Sequence, residues 1–169
     1  MEFGPRALGG RSIIGDSRNQ KMQSTMNLKI KYRESFRPFA PSCTFDSYSN
    51  FFQIPQKSPY MNIVTEVLSK KNNNIPAVTH TDGTARVHTV TKESNKIYYK
   101  LLNEFGKKSG VPVLLNTSFN IQEPIVYTPD DAIKTFINSG VDVLVINNFY
   151  CCLLYTSDAA DEGLGVDLG

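Results

Sequence analysis

The chain has 169 residues, of which 40% are hydrophobic and 20% charged, a composition typical of one globular domain. No apolar run approaches the roughly 20 residues that a membrane-spanning helix needs, and the first residues lack the basic and apolar regions of a signal peptide. The three cysteines show no paired spacing, so we predict a cytoplasmic protein without a disulfide framework.

The first half of the chain predicts short strands and one helix. A helix is favoured over residues 18–30, where apolar side chains recur at every fourth position, at Met22, Met26 and Ile30. Two prolines in residues 31–41 indicate an extended loop or an edge strand. Strands are predicted at 12–14, 60–67 and 85–91, with a polar turn at 69–76.

Two longer helices with clear end signals follow in the second half. Ser94 or Asn95 can cap the start of the first helix, and Gly110 follows its end. Its predicted buried face consists of Ile97, Tyr98, Leu101, Leu102 and Phe105. The second helix starts after Thr128 with a proline and two acids, ends at Gly140, and has a predicted buried face of Ala132, Ile133, Phe136 and Ile137.

Fully buried strands are predicted at Val111–Leu115 and Val141–Ile146, on either side of the second of these helices. Strands therefore alternate with helices in this half of the chain. The predicted fold class is α/β (α+β), in a single domain.

The last residues differ in character from the rest of the chain. From Cys152 onward they match one reading frame of a common transposase sequencing adapter, and residues 166–169 match a later segment of the same adapter. We therefore predict a native domain at 1–151 and a translated adapter tail at 152–169. An ordinary disordered acidic tail is the alternative. A motif that starts at the second residue leads us to expect a cut at the beginning of the chain as well.

Removing the tail changes the net charge, because the tail holds four acids and no bases. The whole chain carries a net charge of +2, whereas residues 1–151 carry 18 bases against 12 acids, a net charge of +6. A basic domain suggests an anionic ligand such as a nucleotide, phosphate or nucleic acid. A solvated surface with no ligand explains the charge equally well.

Two basic motifs near the start have the chemistry to hold an anion. Glu2–Ser12 is glycine-rich, so backbone N–H groups can approach an anion, and Arg6 or Arg11 can fork onto its oxygens. Lys31 and Arg33 stand two residues apart on a segment interpreted as extended, which predicts that they point to the same side. A plain glycine-rich turn and a charged edge strand are the alternatives.

Two polar motifs follow. The turn signal Asp82-Gly83 predicts that His80 and Arg86 lie on neighbouring strand ends and face one ligand. Ser118 and Asn120 come directly after a buried strand, where α/β folds commonly bind ligands. A structural histidine and a polar turn are the alternatives. Neither histidine has a second ligand at metal-binding spacing, so no metal held by side chains is predicted.

In order and spacing, the four motif regions resemble the C-terminal domain of the NodU/CmcH O-carbamoyltransferases; they are Glu2–Ser12, Asn27–Pro41, Pro76–Val90 and Val111–Val126. The resemblance covers about residues 1–150. It implies a YrdC-like domain with a mixed twisted sheet flanked by helices. It also implies that carbamoyl phosphate is activated with ATP to carbamoyl-adenylate, with Mg²⁺ expected for the pyrophosphate leaving group.

The same resemblance implies a division of labour. A larger N-terminal domain related to actin-like ATPases, absent from this chain, transfers the carbamoyl group to a hydroxyl of a sugar or another small molecule. YrdC-type domains use a Lys-x-Arg pair and a Ser-x-Asn pair at their nucleotide site, which Lys31, Arg33, Ser118 and Asn120 match. The predicted catalytic residues are Lys31, Arg86 and Ser118, and the predicted binding residues are Arg6, Arg33, His80 and Asn120.

Three other interpretations stay open. A YrdC-like domain with this charge suits a module that binds double-stranded RNA or a nucleotide, although the sequence has no RNA-binding motif. Threonylcarbamoyl-adenylate synthesis is similar chemistry that uses bicarbonate and threonine. The third is an inert gene fragment.

Overall fold

The computed structural model describes residues 6–68 and 74–153. A five-stranded mixed sheet forms its centre, with strand order β1-β5-β2-β4-β3. β2 and β4 are parallel, and the other neighbours are antiparallel. The strands are β1 Ser12–Asp16, β2 Ala40–Thr44, β3 Ile63–Glu66, β4 Thr84–Val90 and β5 Val113–Ser118. The predicted single α+β domain with a mixed sheet is confirmed.

Three helices and a hairpin accompany the sheet. Helix α1, Met22–Thr25, continues directly into a π-helical segment, Met26–Ile30, and Met26 and Ile30 are buried. The other elements are α2 Lys96–Ser109, α3 Pro129–Asn138 and a separate hairpin of β6 Val143–Ile146 and β7 Phe149–Cys152. None of the helices in the described ranges has the length and apolarity to cross a membrane.

The predicted caps at Asn95, Gly110 and Thr128 are confirmed, whereas α3 ends at Asn138 with an extended Ser139 as its C-cap instead of Gly140. The Asn95 side chain accepts a hydrogen bond from the Tyr98 N–H at the start of α2, and Gly110 ends that helix with a φ of 75°. At the start of α3, Thr128 and Asp131 form a reciprocal capping box. Each cap of this kind contributes about 1 kcal/mol to stability, so the starts of both helices are well defined.

Both faces of the sheet are packed, but against different partners. Side chains alternate between the faces along each strand, and one set, which includes Cys43 and Leu115, lies in the main hydrophobic core. On the opposite face, Val90 and Leu114 pack against Tyr98 and Leu102 of α2. The cavity described below lies on this second face.

The predicted buried faces of the helices are partly wrong. Ile97 is 84% exposed, and on α3 both Ile133 and Ile137 are exposed. Each helix buries a narrower stripe than its apolar pattern predicts. The fully buried residues of α2 are Tyr98 and Leu102, and those of α3 are Ala132, Thr135 and Phe136.

Two predicted strands also need correction. The extended loop predicted at 31–41 ends inside β2, which is the central strand and is buried along its whole length. Proline is tolerated there because the parallel pairing with β4 begins at Ser42, after Pro41. The strand predicted as fully buried at Val141–Ile146 forms only β6, in which Leu144 alone is buried, because β6 pairs with β7 outside the main sheet.

The predicted adapter tail lies mostly outside the described residues. Cys152 closes β7 opposite Val143, whereas 154–169 are not among the described ranges. The boundary at 151 therefore stays a prediction. Most of the polar turn predicted at 69–76 also lies outside these ranges, and its end forms a short 3₁₀ turn, Pro76–Val78.

Candidate anion-binding site

A cavity of about 200 Å³ lies where the ends of three strands meet. Arg86 on β4, Ala40 on β2 and Asn116 on β5 contribute to its wall, and pairing places Ala40 opposite Asn116. We call it the arginine cavity, because three of the six arginines of the chain line it. The lining residues are Arg6, Ala7, Arg33, Pro38, Phe39, Ala40, Met61, Arg86, Asn116, Thr117, Ser118 and Ile125.

The three arginines leave the cavity strongly positive. Burial lowers the pKa of Arg86, and the charge of Arg6 lowers it further. Burial also lowers the pKa of Arg33, followed by the charge of Arg37. Over the described residues, none of the three cavity arginines forms an ion pair with a carboxylate. Guanidinium groups crowded together without a counter-charge make a site that favours an anion.

Arg33 is held in a fixed orientation. Its Nε donates a hydrogen bond to Asn27 Oδ1 at 2.7 Å, and its guanidinium lies 4.8 Å from the centre of the Phe39 ring. Asn27 is fully buried and is itself bound to the carbonyls of Ser35 and Arg37. The terminal nitrogens of Arg33 therefore stay available for a ligand at little cost in side-chain entropy.

The glycine-rich motif forms the turn that brings Arg6 to the cavity. The Ala7 carbonyl accepts hydrogen bonds from the N–H groups of Gly10 and Arg11. Gly9 has a φ of 80°, and a Cβ there would lie 2.2 Å from Cδ1 of Tyr98. This position therefore requires glycine for conformation and for space. Arg11 binds elsewhere: its Nη1 donates a hydrogen bond to the carbonyl of Val126.

Lys31 forms an internal clip. Its Nζ donates to the Ser118 carbonyl at 2.6 Å, to the Asn120 carbonyl at 2.7 Å and to Asn120 Oδ1 at 2.8 Å. The side chain is 4% exposed. Burial, followed by the charge of Arg33, lowers the pKa of Lys31 to about 8, which leaves the group charged at neutral pH. All three ammonium protons thus have acceptors within the protein.

The sequence argument for Lys31 and Arg33 rests on a wrong premise, although the charge of Arg33 does act on Lys31. It assumed an extended segment, but Lys31 directly follows the π-helical segment and Tyr32 has a φ of 46°. The alternation of a strand does not apply to such a turn. Arg33 reaches the cavity, while Lys31 holds the end of β5.

The predicted Ser-x-Asn pair belongs to a hydrogen-bonded loop. Ser118 Oγ donates to Asn120 Oδ1 at 2.7 Å, and Asn120 Nδ2 donates to the Glu123 carbonyl at 2.6 Å. The Glu123 carboxylate accepts from two backbone N–H groups, those of residues 121 and 122, and from Thr135 on α3. The loop is therefore tied at both ends, and it leads to Ile125, which also lines the cavity.

His80 lies beside the site rather than in its lining. Its Nδ1 is 3.1 Å from Thr84 Oγ1, and the Gly83 N–H donates to the His80 carbonyl, which confirms the predicted turn. Burial lowers its pKa, and of the nearby charges Asp82 raises it while Arg86 lowers it. His80 and Arg86 are therefore near each other, but of the two only Arg86 is among the lining residues.

Of the predicted site residues, Arg6, Arg33, Arg86 and Ser118 meet at the arginine cavity, while Lys31, His80 and Asn120 are not among its lining residues. The sequence reasoning missed a buried polar row beside them, formed by Ser42, His88 and Asn116. Two signals pointed to this row: His88 follows Arg86 at strand spacing, and Asn116 opens the motif that contains Ser118.

The donor set does not fit a resident Mg²⁺ ion. Magnesium sites in proteins use one or two carboxylates together with substrate phosphates. The cavity lining contains arginines and no carboxylate, and the described ranges hold no cluster of three or more metal-ligating side chains.

A second and larger cavity, of about 460 Å³, lies between the loop 121–127 and α3. Its two acids are already used, since Glu123 binds the loop and Asp131 caps α3. Its one basic lining residue is Lys134. The polar chemistry that suits an anion is therefore concentrated in the arginine cavity.

Fold and cavity together define an α+β domain that presents a small, positively charged pocket at the end of a mixed sheet. The chain belongs to the family described as carbamoyltransferase C-terminus, whose model matches residues 1–152. It is 50% identical to an uncharacterized protein of Synechocystis, 47% identical to nodulation protein NolO of Bradyrhizobium diazoefficiens and 41% identical to nodulation protein U of Rhizobium tropici.

These matches cover 88%, 88% and 71% of this chain, but 28%, 28% and 21% of the three relatives. The chain thus spans about a quarter of the length of the curated relatives it matches. The expected resemblance to the C-terminal part of NodU-type carbamoyltransferases is confirmed.

Proposed function

We propose that the arginine cavity binds carbamoyl phosphate and that the chain is the carbamoyl-activating part of an O-carbamoyltransferase. The observation that carries the proposal is the convergence of Arg6, Arg33 and Arg86 on one cavity without a neutralising carboxylate among the described residues. Membership of a carbamoyltransferase family supports the carbamoyl group as the cargo.

The size of the cavity favours a small ligand. Pockets for drug-sized ligands measure about 300–1,000 Å³, whereas the arginine cavity measures about 200 Å³. Carbamoyl phosphate is smaller than such ligands and suits this space, while a whole nucleotide does not. ATP would therefore approach from outside the cavity, with its phosphates towards the arginines.

The charge of the cavity suits the phosphate end of carbamoyl phosphate. At a separation of about 4 Å and an effective dielectric constant of about 20, each guanidinium attracts one unit of negative charge by about 4 kcal/mol. Arg33 is oriented in advance by Asn27, so its contribution needs little reorganisation. The same positive field would screen the repulsion between carbamoyl phosphate and the triphosphate of ATP.

The activation step can be written with its atoms balanced. Water cleaves the bond between phosphorus and the bridging oxygen of carbamoyl phosphate, which gives carbamate and inorganic phosphate. A carbamate oxygen then attacks the α-phosphorus of ATP, and pyrophosphate leaves as carbamoyl-adenylate forms. The arginines would stabilise the charge on the transferred phosphates. Mg²⁺ enters this proposal as an ion carried by the nucleotide, and the use of ATP fits a cytoplasmic setting.

Lys31 and Asn120 contribute to this proposal through Ser118. Their mutual hydrogen bonds hold the end of β5, where Ser118 lies in the cavity wall. In this arrangement Ser118 is within reach of a bound phosphate, and His80 adds a polar group beside Arg86. Direct phosphate contact by Lys31 stays a prediction, and it would require Nζ to exchange one of its present acceptors for the ligand.

The test of binding uses the chain itself. The dissociation constants of carbamoyl phosphate and of inorganic phosphate would be measured by ³¹P NMR titration, for the wild type and for Arg86→Ala. Loss of a charge-assisted hydrogen bond costs about 1.5–3 kcal/mol, so affinity for both ligands should fall about 10- to 100-fold. The control is Arg37→Ala, because Arg37 is exposed and lies outside the cavity lining. Equal affinities for Arg86→Ala and Arg37→Ala would contradict the proposal.

The activation step has a separate test. The proposal predicts exchange of labelled pyrophosphate into ATP that depends on carbamoyl phosphate, with loss of this exchange in Arg86→Ala and Lys31→Ala. Threonine with bicarbonate should not replace carbamoyl phosphate. Transfer to a hydroxyl acceptor is proposed to require the part of the relatives that this chain does not span. If exchange runs at wild-type rate in Arg86→Ala, this mechanism is wrong.

A further inference from the structure

Asn116 presents a buried carbonyl oxygen that has no partner. The residue is 1% exposed and lines the arginine cavity. Its Nδ2 donates to Ser42 Oγ at 2.9 Å, but no hydrogen-bond donor in the described ranges reaches its Oδ1. Leaving a buried polar atom unpaired is unfavourable, so its presence in a residue that lines a cavity points to a ligand that supplies the donor.

The orientation of this amide is set by its neighbours. Asn116 Nδ2 donates to Ser42 Oγ, which lies 2.8 Å from His88 Nδ1; the donor in that second pair is set by the His88 tautomer. Burial lowers the pKa of His88 to about 4, and the neutral ring can therefore accept at Nδ1. With the amide nitrogen of Asn116 bonded to Ser42, Oδ1 is the atom left without a donor.

Asn116 and Arg86 are placed so that they can contact the two ends of one small ligand. Asn116 pairs with Ala40 on β2, and Arg86 lies on the strand on the other side of β2. Neighbouring strands are about 4.8 Å apart, so roughly 10 Å of sheet separates the backbones of Arg86 and Asn116. Between them Ala40 contributes only a methyl group. A ligand above Ala40 can therefore meet a guanidinium at one end and an amide oxygen at the other.

We propose that Asn116 Oδ1 accepts a hydrogen bond from the NH₂ group of carbamoyl phosphate and thereby selects it over acyl phosphates that carry a methyl group instead. Ser42 and His88 are positioning residues that hold this acceptor in place. The inference rests on the proposed function, since it assigns the second end of the same ligand. A methyl group leaves the buried oxygen unpaired, which is the situation in which polar sites discriminate most strongly.

The experiment compares carbamoyl phosphate, acetyl phosphate and inorganic phosphate on the whole chain by ³¹P NMR titration. In the wild type, carbamoyl phosphate should bind at least about tenfold more tightly than acetyl phosphate, as expected for one buried hydrogen bond. In Asn116→Leu this preference should fall to less than about twofold, with inorganic phosphate affinity nearly unchanged. A preference that survives in Asn116→Leu would overturn the proposal.

Two further variants keep the test decisive if Asn116→Leu does not fold. Asn116→Asp retains an acceptor but adds negative charge, so all three anions should bind more weakly while the preference remains. Ser42→Ala leaves Asn116 in place but removes its anchor, so the preference should fall while phosphate affinity remains. Loss of preference in Asn116→Asp, or full preference in Ser42→Ala, would contradict the assigned roles.

Failure of this inference is distinguishable from failure of the proposed function. If the wild type binds both acyl phosphates equally and Arg86→Ala weakens both, the arginine cavity stands and the role of Asn116 is wrong. If no phosphate ligand binds to the wild type, the proposed function itself is wrong.

Discussion

Acidification should destabilise the protein through His88. The ring is 3% exposed, and burial lowers its pKa from 6.5 to about 4. A depressed pKa means that the unfolded chain binds the proton first as the pH falls, so stability is lost below the unfolded pKa. Between about pH 7.5 and about pH 5 this one group should remove about 2 kcal/mol from the free energy of unfolding.

Urea unfolding followed by circular dichroism at both pH values measures this effect. In His88→Asn, which has no titrating ring, the loss on acidification should be about 2 kcal/mol smaller than in the wild type. The chain has one other histidine, and His80→Asn is the control. Because His80 is only partly buried, this variant should keep most of the pH dependence. An equal pH dependence in His88→Asn and the wild type would refute the reasoning.

Two more predictions concern the supports of the cavity. Gly9→Ala should lower thermal stability and carbamoyl phosphate affinity, because its Cβ would overlap the Tyr98 ring. Gly83 has a similar φ of 81° and open space around it, so Gly83→Ala should lower the free energy of unfolding by only about 1 kcal/mol. Equal losses in the two variants would contradict the close packing of Gly9. Lys31→Met should lower the free energy of unfolding, measured with urea, by about 1–3 kcal/mol, because it leaves the carbonyls at the end of β5 without their donor. Lys29 is exposed, so the control Lys29→Met should have nearly the wild-type stability. A neutral Lys31→Met would mean that the clip does not stabilise the fold.

The sequence predicted those parts of the fold that depend on local chemistry. The caps at Asn95 and Thr128 use side-chain oxygens against nearby N–H groups, so the helix starts could be predicted within a few residues. Helix faces were less predictable, because the width of the buried stripe depends on what packs against it. Ile97 fits the apolar pattern of α2 but is exposed to solvent.

The site was predictable in its residue types but not in its geometry. The sequence singled out Arg6, Arg33 and Arg86 because anions require such groups, and all three line one cavity. It wrongly assumed an extended backbone at Lys31, because a π-helical segment and a positive φ at Tyr32 cannot be predicted from periodicity. The free oxygen of Asn116 could not be predicted either, since it follows from hydrogen bonds between three separate strands.

The most direct test of the central claim is to observe the arginine side chains while carbamoyl phosphate is added. Two-dimensional NMR of the Nε–H groups gives one signal for each of the six arginines of the chain. The account predicts shifts that saturate at the same ligand concentration for Arg6, Arg33 and Arg86, with little change for Arg18 and Arg37. No saturable shift at the three cavity arginines, or equal shifts at all six, would contradict it.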